Sequence, residues 1–375
     1  MKIAQISPLV ESCPPTLYGG TERIVSYLTE ALVADGHEVT LFATGDSVTD
    51  AELVAPHDVA LRLDPAVKDQ LPHQLMMLDE VKRRAEEFDI LHFHTELTHF
   101  PVVREMSRRS VTTLHNRLDL PDLKPFYEFF SEMPLVSISY SQRAPMPDQV
   151  NWAGNVYHGL PKDVLPFTAK PKERYLAFIG RIAPEKGPDK AVEIATRSGM
   201  PLKIAAKIDA ADRSYWDEAI QPQIAGRKDI QFVGEIGEAE KGEFLGNACG
   251  LLFPIEWPEP FGLVMIEAMA CGTPVLAFDA GSVREVIDEG RTGFVVNGVE
   301  ESLAAVRRLD SLDRKTIRET FERRFTVERM MRDYVEIYQK LLDQRRATSA
   351  SIPMSATARK GSAAEPAGFP SNWRG

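Results

Sequence analysis

Residues Glu259-Pro260-Phe261-Gly262-Leu263-Val264-Met265-Ile266-Glu267 place two carboxylates around a glycine. An apolar run at Leu251–Pro254 precedes them, and the pattern predicts a helix from about Gly262 to Ala270. The N–H groups of Gly262, Leu263 and Val264 would then stand free at a helix N-terminus, where an anion such as a diphosphate can dock. Glu259, just before the helix, could accept hydrogen bonds from sugar hydroxyls. Glu267, about 7.5 Å further along the axis, could clasp the two hydroxyls of a ribose. For either glutamate alone, a solvated residue on a strand–turn–helix is the plainer reading. The whole segment favours one loop and helix that hold sugar, diphosphate and ribose in order.

A second segment, Gly180-Arg181-Ile182-Ala183-Pro184-Glu185-Lys186-Gly187, ends an expected strand in a Gly-Arg pair and adds a Lys-Gly pair. Arg181 and Lys186 near a helix N-terminus would neutralise a diphosphate as charge builds on it. His92, His94, Glu96 and His99 invite comparison with a metal site. Strand alternation puts only His92 and His94 on one face, and zinc needs three or four converging ligands. No metal is therefore expected there. Arg83, Arg84, Arg104, Arg108 and Arg109 could touch an anionic acceptor or lipid, but Glu86, Glu87 and Glu105 beside them favour solvated helix faces.

These groups need elements to position them. Lys2–Ile6 reads as a strand, followed by a loop with Pro14, Pro15, Tyr18, Gly19 and Gly20. Ile24, Leu28, Ala31 and Leu32 then fall at helical spacing, with Gly36 as the stop. Further strands are expected at 38–43, 90–93, 111–114 and 135–138, with helices around 74–87 and 100–107. His115 closes the strand at 111–114, and Thr95, Glu96 and Asn116 sit at neighbouring strand ends with Tyr18 on an expected acceptor side. A second series of strands is expected at 175–179, 202–206, 230–233, 251–254, 275–278 and 293–296. Alternating β and α elements imply parallel sheets covered on both faces. The segment 157–172, with Pro161, Pro166 and Pro171, reads as an interdomain linker. Met330, Tyr334, Ile337, Tyr338 and Leu341 form one apolar stripe on a helix over 326–345. The expected units are 1–160, 161–325, a helix at 326–346 and a disordered tail at 347–375.

The chain has 375 residues, 44 Lys+Arg and 55 Asp+Glu, and a net charge of −11. That length suits two domains. The acidic balance argues against a general nucleic-acid binder. Cys13, Cys249 and Cys271 are an odd number without metal spacing, which fits a reducing cytosol. Met1-Lys2-Ile3-Ala4 leads straight into strand, so no signal peptide is expected, and no run of about 18 uncharged apolar residues predicts a membrane span.

The two charged segments, with Ala268-Met269-Ala270-Cys271-Gly272-Thr273-Pro274-Val275 after them, resemble glycosyltransferase family 4, retaining enzymes of the GT-B fold. The resemblance covers about residues 1–345. It implies two Rossmann-like, doubly wound parallel-sheet α/β domains facing a cleft, with a final helix crossing back to the first. It implies that Arg181 and Lys186 hold the donor diphosphate, Glu267 the ribose and Glu259 the transferred sugar. Phe261, Gly262, Leu263 and Val264 would shape that pocket. Gly19 and Gly20 match the family's N-terminal glycine loop, where only glycine lets backbone approach a phosphate closely. Their spacing is not that of a dinucleotide fingerprint. His115 would lie near the reacting sugar and orient it.

The expected activity is transfer of a hexose from a UDP- or GDP-sugar to a hydroxyl acceptor on a glycan, lipid or small molecule. Neither metal nor cofactor is implied, and the expected place is the cytoplasm, with peripheral contact at the inner membrane face. The rivals are a nucleotide-sugar epimerase or a phosphorylase on the same architecture, and a non-catalytic nucleotide-sugar-binding protein.

Overall fold

The computed structural model describes residues 1–17 and 19–350, the side chains of 348–350 excepted. Tyr18 and the tail from 351 lie outside the described residues. The first sheet contains β1 (Lys2–Ile6), β2 (Glu38–Phe42), β3 (Glu52–Val54), β4 (Ile90–Phe93), β5 (Ser110–Thr113), β6 (Leu135–Ser137) and β7 (Trp152–Asn155). Its order is β3-β2-β1-β4-β5-β6-β7, with parallel pairing throughout. The second sheet contains β8 (Leu176–Arg181), β9 (Leu202–Lys207), β10 (Ile230–Gly234), β11 (Gly250–Phe253), β12 (Val275–Phe278) and β13 (Gly293–Val296). Its order is β10-β9-β8-β11-β12-β13, again parallel.

Both sheets reverse winding direction at one place, between β1 and β4 and between β8 and β11. Loops at the carboxyl ends of strands part there and leave a crevice for a ligand. Strands β4, β11 and β12 are buried along their whole length, as a parallel sheet under helices on both faces requires, and β4 carries one polar residue, His92, into that interior.

Seven helices matter for the site: α1 (Gly20–Ala34), α2 (Leu71–Arg84), α3 (Pro188–Ser198), α4 (Glu238–Gly246), α5 (Leu263–Ala270), α6 (Arg314–Arg324) and α7 (Val327–Ala350). Helix α7 buries Met330, Tyr334, Ile337, Tyr338 and Leu341. Tyr338 and Tyr334 bond His92 and Thr113 of the first sheet, so the helix crosses onto that domain. The chain passes between domains twice, side by side: Leu160 N–H donates to the Phe325 carbonyl, and Val327 N–H to the Leu160 carbonyl, both at 2.9 Å. One buried apolar cluster runs from Ile3 and Ile24 through Tyr334 to Met265 and so joins the two domains.

Several local expectations change. Strand β8, expected over 175–179, runs on through the Gly180-Arg181 pair, and Arg181 pairs with Lys207 of β9. Strands β3 and β7 were not expected; both are short edge strands without an apolar run, held by one neighbour each. The helix foreseen over 100–107 is α-helical only at Phe100–Val103 and tightens to 3₁₀ over Arg104–Arg109. The last helix continues four residues past 346, into the expected tail.

Candidate active site

At the carboxyl end of β8, Arg181 turns into the crevice and pairs with Glu185, its Nε lying 3.3 Å from Asp212. A single 3₁₀ turn, Pro184–Lys186, follows and ends in left-handed Gly187. Lys186 Nζ pairs with Glu259 and stands 4.5 Å from the Trp257 ring centroid. Trp257 Nε1 donates to the same Glu259 oxygen at 2.8 Å. The cation read for a diphosphate and the carboxylate read for a sugar are thus each other's partners.

Gly262 caps α5 in the left-handed region, at φ 79°, which favours glycine over residues with a Cβ. No side chain caps this helix and no acidic residue sits in its first turn, so its N–H groups face the crevice without a local anion. Phe261 is 2% exposed and meets the His158 ring at 5.0 Å. Ser282 holds the segment by donating from Oγ to the Phe261 carbonyl and from N–H to the Glu259 carbonyl, at 2.7 and 3.1 Å. Glu267, 5% exposed, accepts from Lys241 Nζ at 2.7 Å.

On the opposite wall, His115 follows β5. Its Nε2 stands 2.9 Å from His94 Nδ1, and its ring stacks on His158 at 5.3 Å. Burial lowers its pKa to about 3, so the imidazole is neutral at physiological pH. Glu96, left-handed at φ 52°, accepts from the main-chain N–H of both His115 and Asn116, at 2.8 and 3.2 Å. A Cβ on Gly20 would stand 3.5 Å from the Leu263 side chain, so the glycine loop closes on the start of α5. Across the mouth, Arg23 of α1 pairs with Glu238 of α4 at 2.6 Å, and Glu285 accepts from the N–H groups of Tyr140 and Ser141.

One cleft of about 680 Å³ is lined by Gly19, Gly20, His115, Arg181, Lys186, Glu259, Phe261, Gly262, Leu263, Val264 and Glu267 together. Asn116 also lines it, whereas Thr95 and Glu96 stand behind the wall. The four-residue His/Glu set does not converge. His92 bonds Tyr338 and Thr113, His99 bonds Thr95 and Thr112, and among the described residues no three such side chains are gathered for a metal. Arg83, Arg84, Arg104 and Arg109 make ion pairs with Asp79, Glu87, Glu132 and Glu86 away from the cleft, and Arg108 is exposed. Trp257, His158, Lys241 and Gly281 escaped the sequence reading. Trp257 stands two residues before Glu259, a usable signal; Lys241 lies 26 residues from Glu267, with no periodic mark.

Glu22, on the first turn of α1, is 5% exposed and lines the same cleft. Burial pushes its carboxyl up to about 7. The folded state therefore holds this proton more tightly than the unfolded chain, where glutamate titrates near its ordinary 4.5. The associated stability is whole below about pH 4.5 and is lost as pH rises through 7. Glu22→Gln does not titrate, so its stability relative to wild type should improve by roughly 3 kcal/mol between pH 4.5 and 8. Urea unfolding of both proteins across that range checks this, and a constant difference would contradict it.

Two facing doubly wound domains with a charged crevice between them define the GT-B class. Residues 163–322 match the model for glycosyl transferases group 1 and residues 18–147 that for glycosyltransferase family 4, together most of the chain. The chain belongs to this group of glycosyltransferases, and is a transferase enzyme.

An uncharacterized glycosyltransferase of Methanocaldococcus jannaschii is 24% identical over 79% of this chain and 85% of its own length. The alpha-maltose-1-phosphate synthase of Mycolicibacterium smegmatis is 35% identical, but over only 32% of this chain and 33% of its own. The crystal structure of Anabaena HepE in complex with UDP and glucose superposes with a TM-score of 0.65, at 17% identity, over 92% of this chain and all of that one. Among the described residues no helix is long and apolar enough to cross a membrane.

Proposed function

We propose that this chain moves a hexose from a UDP- or GDP-sugar to a hydroxyl acceptor, with retention at the anomeric carbon and with no metal or other cofactor. The observation that carries the reading is the meeting of Arg181, Lys186 and the uncapped start of α5 in one cleft with Glu259 and Glu267. Positive groups aimed where leaving-group charge develops are the main need of this chemistry. The UDP and glucose named in the HepE structure support a nucleotide-sugar donor.

In this reading the donor diphosphate lies against α5 between Arg181 and Lys186. Lys186 exchanges Glu259 for a phosphate oxygen, and Glu259, still held by Trp257, accepts from the sugar's hydroxyls. Lys241 occupies one oxygen of Glu267 and turns the other to the ribose. Gly19 and Gly20 bring backbone to the phosphate, and Phe261 with Leu263 and Val264 shapes the sugar pocket. A covalent route would place a nucleophilic carboxylate about 5–5.5 Å from its acid partner. With the donor bound, Glu259 is held by Trp257 and taken up by the sugar's hydroxyls, which supports front-face attack instead. The acceptor hydroxyl then enters on the side the diphosphate leaves, and a diphosphate oxygen takes its proton. The Arg23–Glu238 tie supports a closed state that keeps water out. A cytoplasmic place, with peripheral contact to a membrane for a lipid acceptor, belongs to the same proposal; the three unpaired thiols support it.

A donor screen tests the reading. Purified protein is incubated with UDP- and GDP-hexoses, with and without EDTA, and released nucleoside diphosphate is followed. Slow release from one donor, unchanged by EDTA, is expected. Conversion of the donor to its epimer without release would assign the site to an epimerase. No release and no heat of binding across the panel would overturn the proposal.

A further inference from the structure

The histidines that resemble a ligand set in the sequence belong to a hydrogen-bonded chain. It starts at the cleft, where His115 Nε2 stands 2.9 Å from His94 Nδ1. His94 Nε2 lies 2.9 Å from Gln5 Oε1, and Gln5 Nε2 donates to Tyr338 Oη at 3.2 Å. Tyr338 Oη is 2.7 Å from His92 Nδ1, His92 Nε2 is 2.8 Å from Thr113 Oγ1, and Thr113 Oγ1 is 2.9 Å from Tyr334 Oη. Every member beyond His115 is fully enclosed. The chain runs from the cleft through β1, β4 and β5 to two tyrosines of α7.

Its polarity follows from the amide of Gln5, whose oxygen only accepts and whose NH₂ only donates. Gln5 Oε1 takes the Nε2–H of His94. The rings are neutral, because burial holds His92 and His94 well below the ordinary histidine range. A neutral imidazole carries one N–H, so His94 Nδ1 must accept and His115 Nε2 must donate to it. His115 is left with a lone pair on Nδ1. In the other direction, Gln5 NH₂ donates to Tyr338, Tyr338 O–H to His92 Nδ1, and His92 Nε2–H to Thr113. Separately, the Glu96 carboxylate grips the main chain of His115 and Asn116.

We propose that Gln5 and Tyr338 are positioning residues that set the tautomer of His115, so that the nitrogen it offers the cleft is a hydrogen-bond acceptor for a substrate hydroxyl. The hydroxyl rests on the glycosyl-transfer reading; the tautomer does not. A Gln5 amide turned end for end would reverse every role and point an N–H into the cleft.

Long-range ¹H–¹⁵N correlation of histidine-labelled protein without ligand decides between these. Signals are assigned from His115→Gln and His94→Gln spectra. Protons on Nε2 of both His94 and His115, unchanged from pH 5.5 to 8, are expected; a proton on His115 Nδ1 overturns the proposal. Gln5→Met should then average the His115 tautomers and lower kcat about tenfold, the worth of one hydrogen bond, with donor KM little changed. Gln5→Glu, whose buried carboxyl stays protonated and so can still accept from His94 and donate to Tyr338, should restore both. Tyr338→Phe frees the Gln5 amide to turn, and is the substitute if Gln5→Met does not fold. Unchanged tautomers in the folded variants would refute the idea. An inactive protein with the expected nitrogen shifts would sink the glycosyl-transfer reading and leave the relay standing.

Discussion

Lys186→Ala is expected to lower kcat/KM for the donor by roughly 10²–10³-fold, about 3–4 kcal/mol. Lys186 is held over the Trp257 ring and against Glu259, so its charge is placed before the donor arrives. Loss of the ammonium removes a positive group from the departing diphosphate. It also leaves Glu259, whose side chain is only 12% exposed, without its counter-ion. An unpaired carboxylate beside a bound diphosphate repels it, so nucleotide affinity should fall along with turnover. Steady-state kinetics with the donor found in the screen, and calorimetry with its nucleoside diphosphate, separate the two effects. Turnover close to wild type would mean that Lys186 does not face the leaving group.

The second large effect is expected at a residue with no chemistry of its own. Gly281 has φ 55°, and a Cβ built on it would come within 2.3 Å of the Glu259 carbonyl oxygen and 2.4 Å of the Glu259 nitrogen. Both obstacles are backbone, which cannot swing aside as a side chain can. Gly281→Ala therefore combines the cost of a left-handed non-glycine residue with overpacking, about 3–5 kcal/mol in all. The 259–261 segment is anchored through Ser282, so relief of the clash has to move Glu259 and the start of α5. A fall in the unfolding midpoint, with loss of nucleoside diphosphate binding in the protein that remains folded, is the expected pair of results. Wild-type stability together with wild-type donor binding would show that the loop absorbs the methyl group and that its close approach is not needed.

The legible part of the site was the part coded by local sequence. Gly262 before an apolar run marks a helix start, and an uncapped helix start implies an anion. Arg181 and Lys186 could be read because a strand end and a turn deliver them within a few residues. What was not legible depended on residues far apart in the chain. Lys241 meets Glu267, Gly281 meets Glu259, and Gln5 reaches Tyr338 across 333 positions. The histidine set shows the difference most clearly. Alternation put His92 and His94 on one face, and their rings do lie 4.1 Å apart. Only α7, with its tyrosines, makes that face a buried hydrogen-bonded chain.

By itself the sequence determined the alternation of strands and helices, the charged segments at strand ends and the apolar stripe of the last helix. These follow from side-chain periodicity and backbone geometry, which act over a few residues. The tertiary structure alone decided which charges neutralise one another, that β8 extends to Arg181 by pairing with β9, and which nitrogen of His115 is free. It did so because burial and hydrogen-bond direction are properties of the packed whole. A glutamate 5% exposed beside a lysine, and a histidine whose proton is placed by an amide two hydrogen bonds away, have no local mark in the chain that folds to make them.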